Sequence, residues 1–245
     1  MEENTLDFNF WPSFSDLMLI LVLILVIVVF AVIASFPVEK DESAPLDLTH
    51  DLRNVEQNQI TMIREIAKQY DVEPTETETN SFVIPIHLEN GGYTEILIKN
   101  EATLQRYSFS DRVLFQPDRY DLNEDGEKTL QIVGQQIRKN LKNFSEIQIQ
   151  GHADPDPPAF EPSNLHLAAK RAIEVFTFLQ KKIRIDPAKY LMSATSFGEY
   201  KPVQRSEEDS TYTPEKLKKH NETRELKAKN RRIEILLIYP SDQSN

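Results

Sequence analysis

The chain has 245 residues, a formal net charge of −11 and no cysteine. That length holds one membrane segment plus one soluble domain of ordinary size, and the acidic balance argues against a nucleic-acid partner, which needs clustered Lys and Arg. The absence of cysteine excludes disulfides and thiolate metal sites and leaves either redox compartment open.

Residues 10–34 dominate the N-terminal part. Phe10-Trp-Pro-Ser-Phe-Ser-Asp16 is followed by eighteen apolar residues, Leu17 to Ala34, without charge, Gly or Pro. At ~1.5 Å per residue the run covers roughly 27 Å, close to the ~30 Å hydrocarbon core of a bilayer, and it predicts a transmembrane helix. A secretory signal peptide would have a basic leader and an apolar run of only about 7–15 residues. Here Glu2, Glu3 and Asp7 precede the run, no Lys or Arg does, and the run is longer. An uncleaved anchor is expected, with flanking charges too few to orient it. Asp16 stands at its mouth. As an interfacial residue it would favour the positive end of the helix; inside the membrane it would be a costly group that marks an ion path.

Phe36-Pro37 breaks the helix, and residues 36–80 read as a linker carrying an amphipathic helix over about 47–70. Leu48, Leu52, Val55, Met62 and Ile66 follow helical spacing. Such a helix packs on its own domain or pairs with a second copy as a coiled coil, and this segment is also the place for a plug. Residues 71–80 read as connecting chain. Phe82–Leu88 and Tyr93–Ile98 flank Glu89-Asn-Gly-Gly92, a hairpin pattern, with Pro85 favouring an edge strand.

From about residue 107, strand and helix alternate. A short strand is expected at 113–115, helices at 123–141 and 164–182, and strands at 146–150, 190–196 and 232–239. Residues 203–229 are polar and read as a loop insertion with one helical stretch from Pro214. The fold class is a single N-terminal transmembrane helix plus an α+β domain with helices on one face of a small mixed sheet. The divisions are 1–35 (N-terminus and span), 36–80 (linker), 81–240 (domain, core 108–240) and 241–245 (tail).

Three stretches have site character: Gly151-His-Ala-Asp154 after a strand, Asn164 to Ala172 on the following helix, and Asn230-Arg-Arg-Ile-Glu-Ile235 at the last strand. Asn164 and Arg171 lie seven apart and share a helix face. Asp154 offers a carboxylate for an ammonium, Arg171 a guanidinium for a carboxylate, and Asn164 an amide partner. An amino acid or zwitterionic peptide end satisfies all three. A plain Asp154–Arg171 salt bridge closing loop onto helix satisfies the same spacing. No nucleophile–base set or metal site is present and the five histidines are scattered, so no enzyme and no cofactor are expected.

With Phe197-Gly-Glu-Tyr-Lys-Pro202 between them, these motifs resemble the OmpA-like peptidoglycan-binding domain over about residues 108–240. The resemblance implies that Asp154 and Arg171 hold the diaminopimelate of the cell-wall stem peptide, with Asn164, Leu167 and Arg231 lining the site. The chain departs from the family in the longer, proline-rich Pro155–Pro162 loop, in Ala168 where Ser is usual, and in the long loop before Asn230. Trp11-Pro-Ser-Phe-Ser-Asp16-Leu-Met18 resembles the start of the span of MotB-like stator subunits. That resemblance implies that Asp16 carries the transported ion (H⁺ or Na⁺). It also implies a homodimer of B chains within a ring of five MotA-like subunits, in the bacterial inner membrane, with the N-terminus cytoplasmic and the domain periplasmic. A flagellar stator and the B subunit of a Zorya-type anti-phage motor share these features. A passive cell-wall anchor is the alternative.

Overall fold

The computed structural model describes residues 11–35, 44–89, 91–206 and 211–240, with helix side chains described from 17 to 32 and from 52 onward. It divides into two compact units, Met1–Leu46 and Asp47–Asn245. Helix α1, Trp11–Ser35, belongs to the first. Its described side chains, residues 17–32, are apolar and exposed on every side, so it has no polar face to turn to water. Those sixteen residues cover about 24 Å, and among the described residues no helix is long and apolar enough to cross a membrane. The Asp16 side chain lies outside the described residues.

The second unit is built on one seven-stranded sheet. Its strands are β1 (Thr75–Glu78), β2 (Ser81–His87), β3 (Tyr93–Asn100), β4 (Leu104–Ser110), β5 (Glu146–His152), β6 (Leu191–Gly198) and β7 (Arg232–Ile238). The spatial order is β1-β2-β3-β4-β7-β5-β6. Only β5 and β6 run parallel, joined by helix α5 (Asn164–Lys181) as a crossover. Alternate residues Ile84, Ile96, Tyr107, Phe109, Ile149, Ile235 and Leu237 form one wholly buried face, as the two-residue period of a strand requires. Helix α4 (Glu124–Lys139) adds Leu130, Val133 and Ile137 to that core, and α5 adds Ala172, Val175 and Leu179. This is an α+β domain with a mixed sheet.

Helix α2 (Ala44–Gln69) packs on its own domain from Val55 onward, with Met62, Ile63, Ile66 and Ala67 in the core. The polar residues that interrupt its apolar seam make the contacts that place it. Gln59 Nε2 donates to the Glu101 and Leu104 carbonyls at 3.0 and 3.3 Å. Asn58 accepts from the Tyr239 hydroxyl at 3.0 Å and donates to Asn140 Oδ1 at 3.1 Å. Much of the expected linker is therefore structured, and residues 75–78 within it are β1.

A second difference lies at 104–115. The strand is β4, whereas Asp111–Leu114 form a single helical turn, α3. Gln105, fully buried, interrupts the apolar alternation of β4 and hides it. It is satisfied by Gln59 O at 3.1 Å, Asn100 Oδ1 at 2.9 Å and the Tyr107 hydroxyl at 2.7 Å. Pro85 lies within the sheet, but β1 pairs with β2 only as far as Val83, so Pro85 faces no strand on that side. The polar insertion forms two short helices, α6 (Pro214–Lys219) and α7 (Arg224–Asn230).

Candidate functional site

The end of β5 and the start of α5 are locked together by backbone contact. A Cβ on Gly151 would lie 2.1 Å from the Ala168 carbonyl oxygen, so only glycine lets the strand pass under the helix at that distance. Gly198, at φ +51°, sits against the Leu165 backbone and accepts from Ala153 N at 2.8 Å. Ser196 Oγ donates to the Leu165 carbonyl at 2.8 Å. Ser163 caps α5 by accepting from His166 N. Strand ends, loop and helix start thereby form one junction, and Asp154 follows β5 within it.

Asp154, Asn164, Leu167 and Arg171 are all brought to this junction and all are buried, Asp154 at 4% and Arg171 at 3% exposure. Arg231 is partly open, its side chain 26% exposed. The direct Asp154–Arg171 bridge allowed by spacing is replaced by a four-charge chain. Arg171 Nη1 lies 3.4 Å from Asp111 Oδ2, Arg231 Nε lies 3.5 Å from that same oxygen, and Arg231 Nη1 pairs with Asp154 Oδ2. Asp154 Oδ1 accepts from Asp156 N at 3.0 Å, and Arg171 Nε donates to the Arg119 carbonyl at 2.8 Å.

Asp111 was not among the residues the sequence pointed to. An acidic residue between Phe109 and Val113, both wholly buried, was the available signal, and the strand expected at 113–115 obscured it. Burial pushes the Asp111 carboxyl up, and Arg171, Arg231 and Arg112 only partly reverse this. Burial likewise lowers the Arg171 guanidinium against the pull of Asp111 and Asp118; an arginine nevertheless keeps its proton. The junction thus holds two charge-paired guanidinium groups and two carboxylates, and Asp111 Oδ1 has no hydrogen-bond partner. Such a set suits a small zwitterion. Among the described residues no group of three or more His, Asp or Glu side chains could hold a metal ion.

Asn230, next to Arg231, ties the insertion down. Its Oδ1 accepts from Val203 N at 2.8 Å, and its Nδ2 donates to the His220 carbonyl at 2.9 Å and Asn221 Oδ1 at 2.7 Å. Lys227 of α7 pairs with Asp156 at 2.5 Å, joining the insertion to the Pro155–Pro162 loop.

Residues 114–213 match the OmpA family. That stretch is similar to an OmpA-type domain. The chain is also 26% identical over 181 residues to Motility protein B of Bacillus subtilis (strain 168), an alignment covering 70% of this chain and 58% of that protein. The crystal structure of a putative MotB-like protein from Desulfovibrio vulgaris superposes with a TM-score of 0.53 at 20% identity, over 79% of this chain and 99% of that one. A crystal structure of the periplasmic domain of MotB gives 0.51 at 18% identity, over 72% and 83%. At such identities the two structures speak to fold alone. The chain is thus similar to MotB-type proteins in sequence, and it spans a little over half the length of Motility protein B.

Proposed function

We propose that the OmpA-type domain grips peptidoglycan and that the chain is the B subunit of a MotAB-type ion-driven motor of the bacterial inner membrane. The observation that carries the reading is the Asp154–Arg231–Asp111–Arg171 chain at the β5–α5 junction, in a chain that also carries an eighteen-residue apolar run with Asp16 at its start. A stem-peptide diamino acid presents an ammonium and a carboxylate close together. Inserted between Asp154 and Arg231, it gives its ammonium to Asp154 and its carboxylate to the guanidinium groups of Arg231 and Arg171. Every buried charge keeps a partner through the exchange, which avoids the several kcal/mol that a stranded ion costs. Asn164 offers amide hydrogen bonds and Leu167 an apolar wall.

In this reading the apolar run spans the membrane, with the N-terminus in the cytoplasm and the domain in the periplasm. Asp16 carries H⁺ or Na⁺, and two B chains sit within a ring of five MotA-like subunits. Moving one charge through ~100 mV is worth about 2.3 kcal/mol, work that a wall-anchored subunit can deliver against a fixed point. A flagellar stator and a Zorya-type defence motor both fit, and the gene beside this one distinguishes them. The deciding test for the wall site is co-sedimentation with purified peptidoglycan. Asp154→Ala combined with Arg171→Ala should abolish it, and retained binding would return these residues to a structural bridge.

A further inference from the structure

The proline-rich Pro155–Pro162 loop carries one aromatic residue, Phe160. Phe160 is 63% exposed and adds nothing to the core. Its ring is nonetheless held: the Arg119 guanidinium lies over it, 4.1 Å from the centroid. The Arg119 carbonyl is the group that accepts from Arg171 Nε, so one residue touches both the charge chain and the ring. The next residue on each side repeats the pattern. Lys170 Nζ lies 4.8 Å from the centre of the Tyr120 ring and 2.8 Å from Glu161. Prolines at 155, 157, 158 and 162 restrict the loop, which lowers the entropy lost when a ligand settles on it.

A fixed aromatic face left open to solvent, beside a guanidinium with donors to spare, suits a ring that is apolar on its C–H face and carries acyl oxygens on its edge. We infer that Phe160 and Arg119 form a second contact for the cell-wall polymer, with a sugar ring of the glycan stacked on Phe160 and an acyl oxygen of that sugar held by Arg119. The inference rests on the peptidoglycan reading above and extends it from the peptide to the glycan. It assigns the proline-rich loop the task of recognising the sugar to which the peptide is attached.

The test is an NMR titration of the full chain with two probes, free diaminopimelate and a disaccharide-peptide fragment of peptidoglycan. Phe160→Ala should weaken the disaccharide-peptide about tenfold, the loss expected for one aromatic stacking contact, and leave diaminopimelate unchanged. Phe160→Trp should retain the tighter binding. The inference is overturned if Phe160→Ala binds the disaccharide-peptide as the unaltered protein does, or if it weakens both probes equally. Failure of the unaltered protein to bind either probe overturns the peptidoglycan reading itself and this inference with it.

Discussion

Asp111 Oδ2 serves two guanidinium groups at once, Arg171 from α5 and Arg231 from the edge of β7. Removing that anion strands the buried Arg171 guanidinium, whereas the partly open Arg231 keeps Asp154. Asp111→Ala should destabilise the domain by about 3–5 kcal/mol, read as a fall in the urea midpoint at unchanged slope; a change under 1 kcal/mol would show that solvent reaches the pair freely. Asp154, Asn164, Leu167, Arg171 and Arg231 could be picked out in the sequence because they stand in motifs at fixed spacing. Asp111 stands in none. It lies 60 residues from Arg171, and nothing local marks it as their common partner.

At the level of elements, β7 shows how one strand serves two purposes. Ile233, Ile235 and Leu237 face the core, whereas Arg232 and Glu234 face the other side of the sheet and are buried there as well. Glu234 takes Arg232 Nε at 2.7 Å and Arg106 at 2.5 Å, with His152 Nε2 3.6 Å away. Burial alone would raise the Glu234 carboxyl, but His152, Arg232 and Arg106 outweigh it and hold the group well below 4.5. A depressed carboxylate contributes stability that is fully present above its unfolded value and is lost as pH falls through the folded one. Glu234→Gln should therefore lower stability at pH 7 and flatten the acid dependence below about pH 4.5. Parallel acid titrations of the two proteins, followed by thermal unfolding, would check this; equal slopes would refute it. The alternation of β7 was plain in the sequence. The alternation of β4 was not, because Gln105 occupies a core-facing place that its hydrogen bonds to α2, β3 and Tyr107 make tolerable.

The whole molecule has two compact units, and in the proposed function the apolar helix carries the ion while the domain grips the wall. Each can be disabled separately. Asp16→Asn keeps the size of the side chain and removes its charge; it should abolish ion-dependent function while peptidoglycan sedimentation stays intact. Unchanged ion-dependent function would leave a passive anchor.

The sequence by itself determined the apolar run, the helices and strands that obey a clean period, and the motifs of an OmpA-like domain, because period and spacing are local properties of the chain. Tertiary structure alone decided three things. Helix α2 lies on its own domain through Asn58 and Gln59, β4 completes the sheet, and Arg231 and Asp111 stand between Asp154 and Arg171. In each case a polar group is buried, and its placement is stable only because partners distant in the sequence satisfy its hydrogen bonds or its charge.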